Sequence, residues 1–218
     1  WSDLLQNRSL TFERNLSILL TVSRATAYAH RMRGIVHRDI KPGNVMIGQY
    51  GEIYLVDWGL AVRFGSDVHH LRDEQVRHLT QEPEGVGMGT PAYMAPELAM
   101  GRWKECCPAT DVFQLGAILY ELLAERPPFI GSSRMAFFRA AMGRFPELPD
   151  HLPAELKSIV ATAMALDPKM RYSDAGHFAE AIQRYFDHRP AEEQFRRTYN
   201  EWQRMQQLLG VPRRIRSE

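Results

Sequence analysis

Cysteine is almost missing from this chain. Its 218 residues hold two, side by side at Cys106 and Cys107. Neighbouring cysteines seldom bond to each other and cannot staple distant segments, so a disulfide scaffold is excluded and a reducing, cytoplasmic setting is expected. No apolar run approaches the roughly 20 residues that a membrane-spanning helix needs, and no signal peptide opens the sequence, which reads as soluble. An excess of one charge is also lacking. With 27 Lys+Arg against 26 Asp+Glu the net charge is +1, which gives no reason to expect nucleic acid as a partner. The first residue is Trp1 and not Met, so the chain reads as a piece of a longer protein. A chain of this length buries about 70% of its unfolded surface, enough for one substantial core, and a single lobe is expected.

What is present is concentrated in one stretch, Ile35-Val-His-Arg-Asp-Ile-Lys-Pro-Gly-Asn-Val-Met-Ile47. A carboxylate, an ammonium and an amide stand at Asp39, Lys41 and Asn44, between two apolar runs. Pro42-Gly43 between them forbids a helix and forces a tight turn that can aim all three at one spot. Val45–Ile47 and 52–56 are β-rich runs around Gly48-Gln-Tyr-Gly51, a hairpin by composition. Asn44 precedes its first strand and Asp57 follows its second, so pairing the strands brings two oxygen donors to one end. Such hard donors, with room left for phosphate and water, suit Mg²⁺.

The rest of the chain is mostly helical by pattern. After a polar lead-in over 1–10, Thr11 reads as an N-cap with Glu13 in the first turn. Leu16, Leu19, Leu20, Ser23, Ala27 and His30 share one face of a helix that ends at Gly34, and His30 reads as a core-edge residue. From Trp58 to Tyr93 there is little periodicity, and the segment reads as a mobile functional loop. The run Gly85-Val-Gly-Met-Gly89 lacks the preceding strand and following helix of a nucleotide-binding loop. His69, His70 and His78 lack the partners of a metal cluster, and a solvated loop is the better reading. Thr110 reads as the cap of an apolar, buried helix over 111–124, opened by Asp111. Further helices are expected over 134–142, 153–166 and from 173 to about 186. In the tail, Phe195, Tyr199, Trp202, Met205 and Leu209 lie on one helical face ahead of Arg213, Arg214 and Arg216. That helix is expected to pack on the lobe or lead into a further domain, not to bind a membrane or nucleic acid.

The stretch around Asp39 resembles the catalytic loop of protein kinases, His37-Arg38-Asp39 followed five residues later by Asn44, with Lys41 giving the serine/threonine form. Asp57-Trp58-Gly59 and Gly89-Thr-Pro-Ala-Tyr-Met-Ala-Pro-Glu97 follow at kinase spacing. The resemblance is to the C-terminal lobe of a bacterial-type serine/threonine protein kinase and covers about 10–187. It implies a mainly α fold with a small β-hairpin at the cleft, a catalytic-domain C-lobe over 1–187 without its N-lobe, and a separate basic tail helix over 188–218. It further implies transfer of the ATP γ-phosphate to Ser/Thr hydroxyls of a protein substrate, with Mg²⁺ or Mn²⁺ as the metal.

The resemblance assigns Asp39 to the substrate hydroxyl, Lys41 to the transferring phosphate, Asn44 and Asp57 to the metal, and Met46 to the adenine ring. Thr90 is implied to bridge Asp39 and Lys41, Asp111 to hold the backbone near His37 and Arg38, and Arg171 to pair with Glu97. Three departures stand out. Trp58 replaces the usual Phe, which is expected to restrict that segment. Gly43 removes a carboxylate that faces basic substrates in some kinases. Glu82 and Glu84 stand where Arg38 normally meets a phosphorylated residue, leaving Thr80 or Ser66 as acceptors. The chain also lacks the Gly-rich loop, the strand lysine and its helix glutamate. A non-catalytic docking module is therefore the alternative to an enzyme whose small lobe lies upstream.

Overall fold

The computed structural model describes residues 1–64, 89–189 and 201. The lead-in is more ordered than its polarity suggests: α1 (Ser2–Gln6) follows a buried Trp1, whose indole N–H donates to Asn15 Oδ1 at 2.8 Å. A tryptophan ring goes inside when its one donor finds an acceptor there. Thr11 Oγ1 then accepts the Arg14 N–H and starts α2 (Phe12–Tyr28), which buries Leu16, Ile18, Leu19, Leu20, Val22, Ser23 and Ala27. A wider π-helical turn over Ala29–Arg33 carries His30 into the interior before Gly34, at φ +62°, ends the helix.

Two small antiparallel sheets follow. β1 (Ile35–Val36) leads into the loop of Asp39, and β2 (Val45–Ile47) pairs with β3 (Ile53–Leu55) in the register Val45↔Leu55, Met46↔Tyr54, Ile47↔Ile53. β4 (Val62–Arg63) returns to pair with β1, a partnership that two-residue strands do not announce in sequence.

Short α3 (Pro96–Ala99) precedes the central α4 (Pro108–Ala124), in which 13 of the 17 residues are buried. Thr110 is not its N-cap as expected. The helix begins earlier, with Cys107 as N-cap and Pro108 at the first helical position, where its missing N–H costs nothing. Thr110 sits inside the first turn and its hydroxyl accepts the Cys107 N–H at 3.1 Å. α5 (Ser133–Ala141) and α6 (Ala154–Ala163) follow near their expected positions. Gly116 on α4 lets α6 come close: a Cβ there would stand 2.7 Å from the Ala163 Cβ.

Two compact units are present, 1–182 and 183–218. The first closes with a helix, α7, that begins at 175 and buries Ala175, Phe178, Ala179, Ala181 and Ile182. In the second, 183–189 is helical, with Gln183 Nε2 donating to Asp187 Oδ1 at 2.9 Å. The expected apolar face from Phe195 to Leu209 and the arginines after it lie outside the described residues. Among the described residues no helix is long and apolar enough to cross a membrane.

Arg171 and Glu97 meet as expected, in a buried fork of 2.8 and 2.9 Å. The guanidinium also donates to the carbonyls of Ala165, Ala109 and Leu166 and lies over the Phe113 ring. Removing one partner strands the other charge in the core, so Arg171→Met should lower stability by about 3–5 kcal/mol. Urea unfolding will measure it, and adding Glu97→Leu should return much of the loss.

Candidate active site

The loop after β1 is held by α4. Asp111, with its side chain fully buried, accepts the backbone N–H groups of His37 and Arg38, both at 2.8 Å. One turn further, Gln114 takes the Ile40 N–H at 2.9 Å and donates to the Arg38 carbonyl at 2.8 Å. Positions 111 and 114 share a helix face, so one stripe of α4 pairs three N–H groups and one carbonyl of this loop. The loop needs that grip because Arg38 sits at φ +69°, a left-handed conformation costly for a residue that carries a Cβ.

His30 is a partner that its reading as a core-edge residue missed. Its Nδ1 accepts the Ala175 N–H at 3.3 Å, which leaves Nε2 to donate to Asp111 Oδ2 at 2.9 Å. The signal in sequence was a titratable residue on a face otherwise made of Leu, Ser and Ala, ambiguous until the partner was known.

Held in this way, Asp39 is the centre of a polar cluster. Lys41 Nζ donates to Asp39 Oδ2 at 2.7 Å and to Thr90 Oγ1 at 2.6 Å, and the Thr90 N–H donates to Asp39 Oδ1 at 3.2 Å. Asn44 Nδ2 donates to the Asp39 carbonyl at 2.8 Å and to Oδ2 at 3.2 Å. Gly89, at φ +105°, passes close by; a Cβ there would be 3.6 Å from Asp39 Oδ1.

Asn44 spends its side-chain amino group on Asp39, so its side-chain Oδ1 is the atom left for another partner. Asp57 lies at the same end of the hairpin, one residue beyond Val56, whose N–H donates to the Asn44 carbonyl at 2.9 Å. The Asp57 side chain is exposed, on a left-handed backbone at φ +63°. A carboxylate and an amide oxygen are a partial set of hard donors. That fits Mg²⁺, which keeps waters and phosphate oxygens and seldom takes a full protein cage. Gly59 stands beside this carboxylate, and a Cβ there would be 3.4 Å from Asp57 Oδ1. Met46, 59% exposed, and Tyr54 opposite it form an open apolar face on the hairpin.

The neighbours of the cluster are equally occupied. His37 Nδ1 accepts the Asp39 N–H, so Nε2 donates to the Val56 carbonyl at 3.1 Å. Arg38 Nε donates to the Leu60 carbonyl at 2.5 Å, and its guanidinium lies over the Trp103 ring beside the Cys106 thiol, which burial pushes up to about 12. Trp103 was not singled out in the sequence. Tyr93 donates to Glu121 Oε2 at 2.8 Å and ties the Thr90 segment to α4. Ser66, Thr80, Glu82, Glu84, the three loop histidines, Gly85 and Gly87 lie outside the described residues. Among the described residues no group of three or more His, Cys, Asp or Glu side chains could hold a metal.

Comparison with known proteins follows the same lines. The protein kinase domain model matches residues 2–186. The chain is 33% identical over 187 residues to a probable serine/threonine-protein kinase of Streptomyces coelicolor, covering 84% of this chain and 26% of that protein. It is 37% identical over 174 residues to the probable serine/threonine-protein kinase PknB of Bifidobacterium longum, covering 78% and 23%. With the serine/threonine-protein kinase PknA of Mycobacterium tuberculosis the identity is 33% over 177 residues, covering 79% and 37%. The chain therefore spans only about a quarter to a third of the length of these relatives.

Burial raises the carboxyl of Glu121 above its ordinary 4.5, and the Tyr93 hydroxyl offsets this only in part. The unfolded chain releases this proton first, so the contribution of Glu121 to stability falls as pH rises from about 4.5 through the raised value. Glu121→Gln should flatten that part of the stability profile, measured by denaturant unfolding between pH 4 and 7.

Proposed function

Because the chain belongs to the protein kinase family and is of the bacterial serine/threonine type, we propose that it forms the large lobe of a catalytic domain that moves the γ-phosphate of ATP to Ser or Thr hydroxyls of a protein substrate. The observation that carries this reading is the cluster of Lys41, Asp39, Thr90 and Asn44. A part-buried ammonium, a carboxylate and an amide are costly to gather in one place, and packing alone gives no reason to gather them. A non-catalytic docking module would have no use for the cluster.

In this reading Asp39 receives and orients the substrate hydroxyl and takes its proton as the oxygen attacks phosphorus. Its Oδ1 is the less occupied oxygen, since Oδ2 is engaged by Lys41 and Asn44. Lys41 stands within reach of both the carboxylate and the space where a phosphoryl group would sit, and it balances the negative charge that spreads over the phosphate oxygens. Thr90 keeps that ammonium in place. Asn44 and Asp57 would hold Mg²⁺, which when bound would supply further charge neutralisation at the phosphates. Met46 provides the apolar surface beneath the adenine.

The sequence carries no Val-Ala-x-Lys run, and among the described residues no Gly-rich loop stands between a strand and a helix. We assign those parts to a small lobe outside the 218 residues, with Thr80 and Ser66 as the hydroxyls open to phosphorylation. The tail from 188 is a separate unit in this proposal. Losing one preorganised phosphate donor costs about 10²–10³ in rate, so the 218 residues by themselves should be nearly inert.

In the complete enzyme, Asp39→Asn should lower phosphate transfer by about 10²–10⁴ while leaving the fold intact, followed with radiolabelled ATP. Undiminished transfer by this variant would end the assignment of Asp39.

A further inference from the structure

Asp57 carries an exposed carboxylate on a left-handed backbone, a conformation that Asp adopts more readily than most residues with a Cβ but that still lies outside the common wells. Three ties surround it. On the near side His37 Nε2 donates to the Val56 carbonyl at 3.1 Å, and on the far side Arg38 Nε donates to the Leu60 carbonyl. The third spans Asp57 itself: the indole N–H of Trp58 reaches back to the Leu55 carbonyl at 3.0 Å.

The hairpin register explains why that carbonyl is available. The N–H of Val56 donates to Asn44 and that of Gly48 to Glu52, so the pairs 44–56 and 48–52 are the hydrogen-bonded ones. Alternation in an antiparallel ladder makes 45–55 a non-hydrogen-bonded pair, with the Leu55 carbonyl turned away from the partner strand. Trp58 satisfies this outward acceptor, and its ring lies 4.5 Å from the His37 ring, which is itself tied to the strand. A phenylalanine would keep the ring contact and lose the bond.

We propose that Trp58 is a positioning residue whose indole N–H, closed onto the Leu55 carbonyl, latches Asp57 in its left-handed conformation and keeps the carboxylate at the Asn44 end of the hairpin. The proposal rests on the reading of Asp57 as a metal-side carboxylate. It goes beyond that reading in making the site's geometry depend on one donor atom outside the polar cluster. The latch acts locally: Trp58 is half-buried, so water can reach the Leu55 carbonyl when the bond opens, and overall stability should move little.

The test compares the 218-residue chain with Trp58→Phe and with a site-specific replacement of Trp58 by benzothienylalanine, which keeps the ring's shape and puts sulfur in place of the N–H. Amide hydrogen exchange over 56–60 and broadening of the Gly59 amide by Mn²⁺ alone are the two readouts. Both variants should exchange about two- to tenfold faster over 56–60, the worth of one net hydrogen bond. Both should also need correspondingly more Mn²⁺, with an unchanged urea midpoint. Wild-type exchange in the benzothienylalanine variant would overturn the proposal, since ring volume would then hold the segment, and so would wild-type exchange in both. Faster exchange in the variants together with no Mn²⁺ effect in any of the three proteins would keep the latch and remove the metal site, so the two failures are distinguishable.

Discussion

A carboxylate buried without water must find donors, and Asp111 finds three: the N–H groups of His37 and Arg38 and the Nε2 of His30. Charge-assisted bonds to an ionised acceptor are each worth about 1.5–3 kcal/mol. Together they exceed the roughly 1–2 kcal/mol by which a left-handed backbone disfavours Arg38. Once that residue is fixed, the direction of the next is fixed too, and Asp39 points at Lys41, Thr90 and Asn44. The bond to His30 brings in α2, whose wider last turn carries the imidazole inward, and the Ala175 N–H brings in the start of α7. Four separate parts of the chain thus meet at one carboxylate.

The Glu97–Arg171 pair acts in the same manner on the other flank of α4. Its guanidinium takes carbonyls from 109, 165 and 166 as well as the carboxylate, which ties α3, the start of α4 and the turn after α6 to one planar group. Here too the desolvation of charge is met by saturating its hydrogen-bonding capacity, not by the ion pair alone. These two buried polar hubs make α4 a rigid mast. The loop of Asp39 hangs from Asp111 and Gln114, and the segment of Thr90 is tied to the mast through Tyr93 and Glu121.

The site that results is divided between rigid and adjustable parts. Asp39, Lys41 and Asn44 lie on the anchored loop, while Asp57 is exposed and depends on the backbone around it. Under the proposed function that division would suit phosphoryl transfer, where positioning and electrostatics carry the chemistry and little covalent work falls to the protein. The hairpin supplies both faces of the arrangement, with hard oxygen atoms at one end and the open Met46–Tyr54 face further along.

Local order made much of this legible in advance. The Thr11 cap, the helical period through His30, the turn at Pro42-Gly43 and the hairpin depend on residues within a few positions of one another, so the sequence could state them. Because the spacing of Asp39, Lys41 and Asn44 is local, the gathering of these three side chains was visible as well, and the likeness to kinases extended the reading to the contacts of Thr90, Asp111 and the 97–171 pair. The start of α4 was misplaced because Thr110 is a preferred cap residue and Cys107 is not, although Pro108 at the first helical position marked the earlier beginning. His30, Gln114, Trp103 and the acceptor for the Trp58 N–H were beyond reach for another reason. A polar side chain declares in sequence that it needs a partner, but the partner lies between three and 145 positions away, and only the packing of helices and strands selects it. The residue types and their short-range spacing came from the sequence alone. Which buried charge met which donor, and hence where the carboxylates point, was decided by the tertiary structure, because desolvation lets each such group be buried only where a complement has been brought to it.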